Sequence, residues 1–169
     1  EKKKNTPKTE TTVREEQLQK SAGAGGVNVF RAVELTPSVH VGTDDAYGLG
    51  GGTITIRGFP NDQIGLEIDG MPLNDSGNYA LYPHEYIDVE NLEAITVERG
   101  ATKKASPFYT DIGGSIKLRT KPPKNKFSID YNLRYGSFNF KKEFIRVDTG
   151  LIPKLGLKAF ISFSHTEAD

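Results

Sequence analysis

Apolar and polar positions alternate along much of this chain, first in short runs and then in long ones. The short runs are "TITI" at 53–56, "IGLEIDG" with Ile64, Leu66 and Ile68 on one face, "LEAITVERG" with Ile95 and Val97, and "GGSIKLRT" with Ile116 and Leu118. Each has the period of two that sets one face against a core, so four strands are predicted. After "TKPPKNK", whose consecutive prolines cannot continue a central strand, the alternation becomes longer and stricter. Phe127, Ile129, Tyr131, Leu133 and Tyr135 stand against Ser128, Asp130, Asn132 and Arg134; "FKKEFIRVDTG" follows; Leu157, Ala159, Ile161 and Phe163 then oppose Lys158, Phe160, Ser162 and Ser164. Strands of about ten residues, apolar on one face and polar on the other with tyrosines near the ends, fit a transmembrane β-barrel. A soluble periplasmic binding or interaction module with a β-meander tail is the alternative, and whether the apolar face meets lipid separates the two.

Other periods are sparser. In "NVFRAVELTPSV" Asn28 is a candidate N-cap, Val29 and Val33 share a face, and Thr36-Pro37 is a stop, which predicts a short amphipathic helix near 29–35. "VREEQLQK" fits a short helix or a strand end. Residues 1–12 are rich in Lys and Thr without apolar periodicity and read as a flexible leading segment. "GLGGGTITIRGF" lacks the Gly-Lys-Ser/Thr of a phosphate cradle and runs into a strand rather than a helix, so its glycines predict a tight turn. A polar and aromatic loop between Asp69 and Asn91 is long enough to expect a function of it. The expected organisation is a leading segment at 1–12, an α+β domain at 13–123 and antiparallel strands at 124–169.

Charge adds a second kind of segregation. The 169 residues hold 22 basic and 22 acidic side chains, but residues 1–20 carry 6 and 4, residues 21–100 carry 3 and 12, and residues 101–169 carry 13 and 6. An acidic middle argues against nucleic acid as partner. The absence of cysteine excludes disulfides and Cys-ligated metal, and the three histidines, His40, His84 and His165, have no metal-binding spacing. No nucleophile elbow or His-Glu-x-x-His is present and no carboxylate pair stands out, so no catalytic residue, metal or cofactor is expected. No run of about eighteen apolar residues occurs, so membrane contact would be made by strands.

Four motifs in order, "NVFRAVELTPSVHV", "ITIRGFPNDQIGLEIDGMPLND", "IDVENLEAITVERGA" and "DIGGSIKLRTKPP", resemble the plug domain of TonB-dependent outer-membrane receptors over roughly residues 28–123. The resemblance implies an α+β plug, a small mixed sheet with short helices, followed by the first strands of a transmembrane β-barrel that has 22 strands in the full family fold. It also implies an outer-membrane active transporter that binds a scarce nutrient, an iron-siderophore or other metal chelate, at the extracellular face and imports it with energy transmitted by the TonB periplasmic domain. About three barrel strands are visible, and three open strands would leave an unpaired edge in lipid, so the chain is expected to be a truncated piece or one part of a split receptor. "ETTV" at 10–13 is a poor and late match to a TonB-binding segment, which is expected upstream of Glu1.

Site residues follow from the resemblance and from residue type. Arg57 and Arg99 each end a strand before a glycine, and the resemblance assigns them to ion pairs with barrel glutamates; pairing with Asp62, Glu67, Asp69 or Glu98 inside the plug is the alternative. Ligand contacts are expected from Asn61, Asp62, Asn74, Asp75, Asn78, Tyr79, Tyr82 and His84, because aromatics supply contact area at low entropic cost and amides and carboxylates supply orientation. The turns at Pro60–Gln63 and after Asp69-Gly70 are both expected to raise loops toward the outer face, with the Asp69 side chain bonding the amides that follow it. Gly58, Asp69, Gly70, Gly100, Gly113 and Gly114 are expected at structural turns. "GATKKASPFYTDIGGS" departs from the family pattern at Lys103 and Lys104.

Overall fold

The computed structural model describes residues 9–21, 28–100, 108 and 110–169. Five strands form the main sheet: β1 (Glu10–Arg14), β4 (Ile64–Ile68), β5 (Met71–Pro72), β6 (Leu92–Arg99) and β7 (Gly114–Thr120). Their order is β1-β6-β7-β4-β5, with β4 and β7 parallel and the other pairs antiparallel. A two-stranded ribbon of β2 (Val39–Gly42) and β3 (Thr53–Ile56) and a short helix α1 (Glu15–Ser21) accompany it. A second short helix, α2 (Pro83–Tyr86), lies in the long loop.

One face of the sheet makes the core. Leu66, Ile116 and Val97 lie across neighbouring strands, as do Ile68, Leu118, Ile95 and Val13. Leu18 of α1, Phe30, Val33, Ile54, Ile56, Leu81 and Leu92 join them in one buried cluster. Burial of such side chains stabilises by about 1.5–3 kcal/mol each, which makes this face the main source of the fold's stability.

Two local expectations change. The helix expected at 29–35 is a single 3-10 turn at Arg31–Val33. Val29, Phe30, Ala32 and Val33 are all buried, Thr36-Pro37 stops the chain soon after, and the Asn28 side chain is committed elsewhere rather than capping a longer helix. Its Oδ1 accepts the Phe30 amide at 2.8 Å while its Nδ2 donates to the Gly51 and Gly48 carbonyls at 2.7 and 3.3 Å. The flexible segment expected at 1–12 contributes Glu10–Thr12 to β1, where Thr and Val suit the pleat and Thr12 bonds Thr96 across the strands at 2.9 Å. Residues 1–8, and Lys103 with Lys104, lie outside the described residues.

Residues 127–167 form an antiparallel meander of β8 (Phe127–Tyr135), β9 (Lys141–Thr149) and β10 (Phe160–Glu167). Register aligns Ile129, Val147 and Ile161 in one row and Tyr131, Ile145 and Phe163 in the next. This apolar face points outward: Ile129 is 58% exposed and Phe163 67%. The polar face is the covered one, with Lys142, Arg146 and Asp148 buried against the first domain.

Candidate functional site

The sheet topology sorts the candidate residues by end. β4 and β7 start together, at Ile64 and Gly114, beside Arg99 at the end of β6. Asn61 and Asp62, in the 3-10 turn before β4, belong to this end. Asp69 and Gly70 close β4 at the opposite end, so the two turns do not rise side by side as expected: a five-residue strand separates them. The chain after Gly70 returns along β4 through β5, and only then does the loop reach the first end. Asn74 fixes that arrival, accepting the Leu66 amide at 2.9 Å and donating to the Ile64 and Tyr79 carbonyls at 2.8 and 3.0 Å.

The Asp69 carboxylate also departs from expectation. It accepts the backbone amide and the hydroxyl of Thr120 at 3.0 and 2.5 Å, crossing to β7 rather than bonding the amides after it. Its two oxygens are each taken by a donor of Thr120, the last residue of the neighbouring β7. Gly58, Gly70, Gly100 and Gly114 have φ of 82°, 87°, 99° and 135°. Gly113 is confined by contact: a Cβ there would stand 2.5 Å from that of Phe59.

Asn74, Asp75, Asn78, Tyr79, Tyr82 and His84 lie in one loop. Asp75 Oδ1 accepts the Gly77 and Asn78 amides at 2.8 and 3.0 Å, and these donors hold its carboxyl below the ordinary value of 3.8. Asn78 donates to the Tyr82 hydroxyl at 3.0 Å, and the Tyr82 ring meets His84 edge-on with centroids 6.3 Å apart. His84 lies under the glycine loop, since a Cβ on Gly51 would come within 2.7 Å of its ring. Arg57 and Arg99 are brought to the same end of the sheet. Arg57 is exposed, with its amide on the Ser38 carbonyl at 2.8 Å and its guanidinium against Gly100. Arg99 donates through Nε to the Thr9 carbonyl and through Nη1 to that of Pro37, each at 3.3 Å. Of the carboxylates considered as local partners, Glu98 pairs with Lys117 at 3.2 Å and Asp69 is engaged by Thr120.

A second set of residues, not anticipated individually, joins the first domain to the meander. Glu90 Oε2 accepts from Lys142 Nζ at 2.9 Å and its Oε1 is 3.4 Å from Arg134 Nη2, while Asp88 stands 3.5 Å from Lys142. Arg146 donates to Asn91 Oδ1 at 3.2 Å and to the Lys121 and Pro122 carbonyls at 3.3 Å, pairs with Asp148, and lies 3.7 Å over the Phe160 ring. Asn91 Nδ2 donates to Ser162 Oγ at 2.9 Å. Further along, Tyr47 stacks on Phe140 at 4.0 Å and donates to the Ser137 carbonyl at 2.9 Å. Asp45 shapes that loop: burial works to raise its pKa, but amides of Gly50, Leu49, Tyr47 and Gly48 outweigh it and hold the carboxyl low. The acidic middle and basic end of the sequence are a coarse trace of this seam, because the acids are on the first domain and the cations on the strands.

A small mixed sheet, joined through Asp88–Asn91, Lys121, Pro122 and the Tyr47 loop to the polar face of an inside-out meander, has the form of a plug domain followed by outward-facing strands. The family model of the TonB-dependent Receptor Plug Domain matches residues 2–106, and the chain belongs to that family. Among solved structures, it is similar to the pyoverdine outer membrane receptor FpvA from Pseudomonas aeruginosa PAO1, at 20% identity and a TM-score of 0.74 over 96% of this chain and 22% of that one. It is similar to the alcaligin outer-membrane receptor FauA from Bordetella pertussis, at 18% identity and a TM-score of 0.72 over 98% of this chain and 27% of that one. The copper transporter OprC follows at 13% identity and 0.67, over 95% and 24%. These matches establish the fold, in which the meander is included, and the chain spans about a quarter of each receptor's length. No curated protein sequence matches the chain.

Proposed function

We propose that this chain is the plug and opening barrel strands of an outer-membrane receptor that binds a metal chelate, most simply an iron-siderophore, and imports it with TonB-transmitted energy. The observation that carries the reading is the inversion of the meander: its apolar rows face out and its charged side chains are buried on the plug. That arrangement suits lipid outside and a filled lumen inside. The plug family and the siderophore receptors of similar fold support the cargo class, while a copper transporter of the same fold marks its breadth.

Cargo contact is assigned to Asn61, Asp62, Asn78 and Tyr79 at the first end of the sheet and to Tyr82 and His84, which lead away from it under the Gly51 loop toward Asn91 and Thr120, with Asn74 and Asp75 holding the loop in shape. Arg57 and Arg99, at that same end, are assigned to barrel carboxylates outside this chain. The protein does no covalent chemistry on this reading. Uptake of ⁵⁵Fe³⁺ presented as hydroxamate, catecholate and citrate chelates tests it in a strain lacking the full-length gene. Loss of uptake of one chelate, restored by the wild-type gene and not by Tyr79→Ala/Tyr82→Ala, is expected; unchanged uptake of all three contradicts the iron-chelate reading.

A further inference from the structure

Arg134 and Lys142 are direct cross-strand partners in the β8–β9 register and share the covered face of the hairpin. Two like charges in that position repel, and with the plug seated Lys142 is only 2% exposed, so the closed seam has to supply carboxylates to the pair. The relief comes from the plug. Glu90, 6% exposed, offers one oxygen to each cation, and Asp88 adds a second carboxylate to Lys142.

We propose that Glu90 is the residue that retains the plug on the barrel wall, and that its seam with the first hairpin stays closed while the plug rearranges elsewhere to pass cargo. The proposal rests on the transport reading above. Its polarity is the reverse of the plug-arginine and barrel-glutamate pairing assigned to Arg57 and Arg99. Three features place the fixed point here. Only residues 121–126 separate β7 from β8, so the covalent link lies beside the seam. The seam is bonded along its length, from Arg146 on the Lys121 and Pro122 carbonyls at 3.3 Å, through Arg146 and Ser162 on Asn91, to Tyr47 on Ser137. Opening it would part Lys142, 2% exposed, from Asp88 and from Glu90, itself 6% exposed, and breaking a buried pair of that kind is costly.

The test uses the full-length receptor. Asn91→Cys/Ser162→Cys, bridged by a short bis-methanethiosulfonate linker that reductant cleaves, ties plug to hairpin at this seam. Uptake of the ⁵⁵Fe³⁺ hydroxamate, catecholate or citrate chelate used by the unlinked receptor is expected to be unchanged by linking. Loss of uptake on linking, regained on reduction, overturns the proposal. Glu90→Lys gives a readout independent of cargo, the conductance of purified receptor in planar bilayers. The open fraction is expected to rise by about a hundredfold, the lower range for breaking a buried pair, and to fall back in Glu90→Lys/Lys142→Glu. A Glu90→Lys receptor as closed as wild type, or a leak that the charge swap leaves unchanged, overturns the anchor. If the unlinked receptor imports none of the chelates, the iron-chelate reading fails and the conductance result alone decides the role of Glu90.

Discussion

The plug sheet and the β8–β10 meander are written in the same alternation and folded to opposite ends. In the plug, Leu66, Ile116 and Val97 turn inward on a shared core while Glu67, Lys117, Thr96 and Glu98 lie half-buried on the other face. In the meander, Ile129, Tyr131, Ile161 and Phe163 face out and Lys142, Arg146 and Asp148 are buried. A period of two decides that a strand has two unlike faces; what each face meets is decided by the rest of the molecule. The plug closes on itself, and the meander takes its inner partner from the plug and, on the proposed reading, its outer one from lipid.

That contrast can be broken from either side. Ile116→Arg puts an unpaired charge into the plug core and is expected to cost more than about 4 kcal/mol, read as loss of the plug's thermal transition in the full-length receptor. Phe163→Arg is expected to cost less, about 2–4 kcal/mol, and only where lipid covers that face; reversible unfolding into bilayers measures it. Equal penalties in a bilayer and in water would remove the distinction between the two faces.

Smaller effects sharpen the comparison at the plug's ends. Asp69→Ala removes two acceptors for Thr120 and leaves a β-carbon at a φ of 48°, for an expected loss of about 1–2 kcal/mol, seen as faster amide exchange at Thr120. The Asp75 loop should respond to acid. Because its folded carboxyl lies below 3.8, its contribution is complete above that pH and is lost as the pH falls through the folded value. Protection of the Gly77 and Asn78 amides should fall accordingly below pH 3.8, and Asp75→Asn should abolish the dependence.

The parts of this fold that local pattern determines were legible. β4, β6, β7 and the three long strands follow from alternation, and the ordered motifs from "NVFRAVELTPSVHV" to "DIGGSIKLRTKPP" carry the family. What pattern cannot carry is pairing between distant segments. Nothing in "IGLEIDG" says that it runs parallel to 114–118, and that pairing sends the Asp69 turn to the far end of the sheet from Asn61. The Arg31–Val33 turn looked like a helix because Val29 and Val33 share the right spacing, but Phe30 and Ala32 between them are buried as well and the Asn28 side chain is bound to the glycine loop instead of capping. Glu90 and Lys142 are 52 positions apart, and the uneven distribution of charge along the chain, read above only against nucleic acid, says nothing of which acid meets which cation.

The measurement closest to the central claim is site-directed spin labelling of β8 and β10 in the full-length receptor in bilayers, favoured by the lack of cysteine in these residues. Labels at Ile129, Ile161 and Phe163 should be relaxed by oxygen, which concentrates in lipid. Labels at Ser128, Ser162 and Ser164 should be shielded from it, with accessibility alternating at a period of two. Equal access of both sets to a water-soluble relaxant, without alternation, would contradict a barrel wall closed on its plug and return the meander to a soluble module.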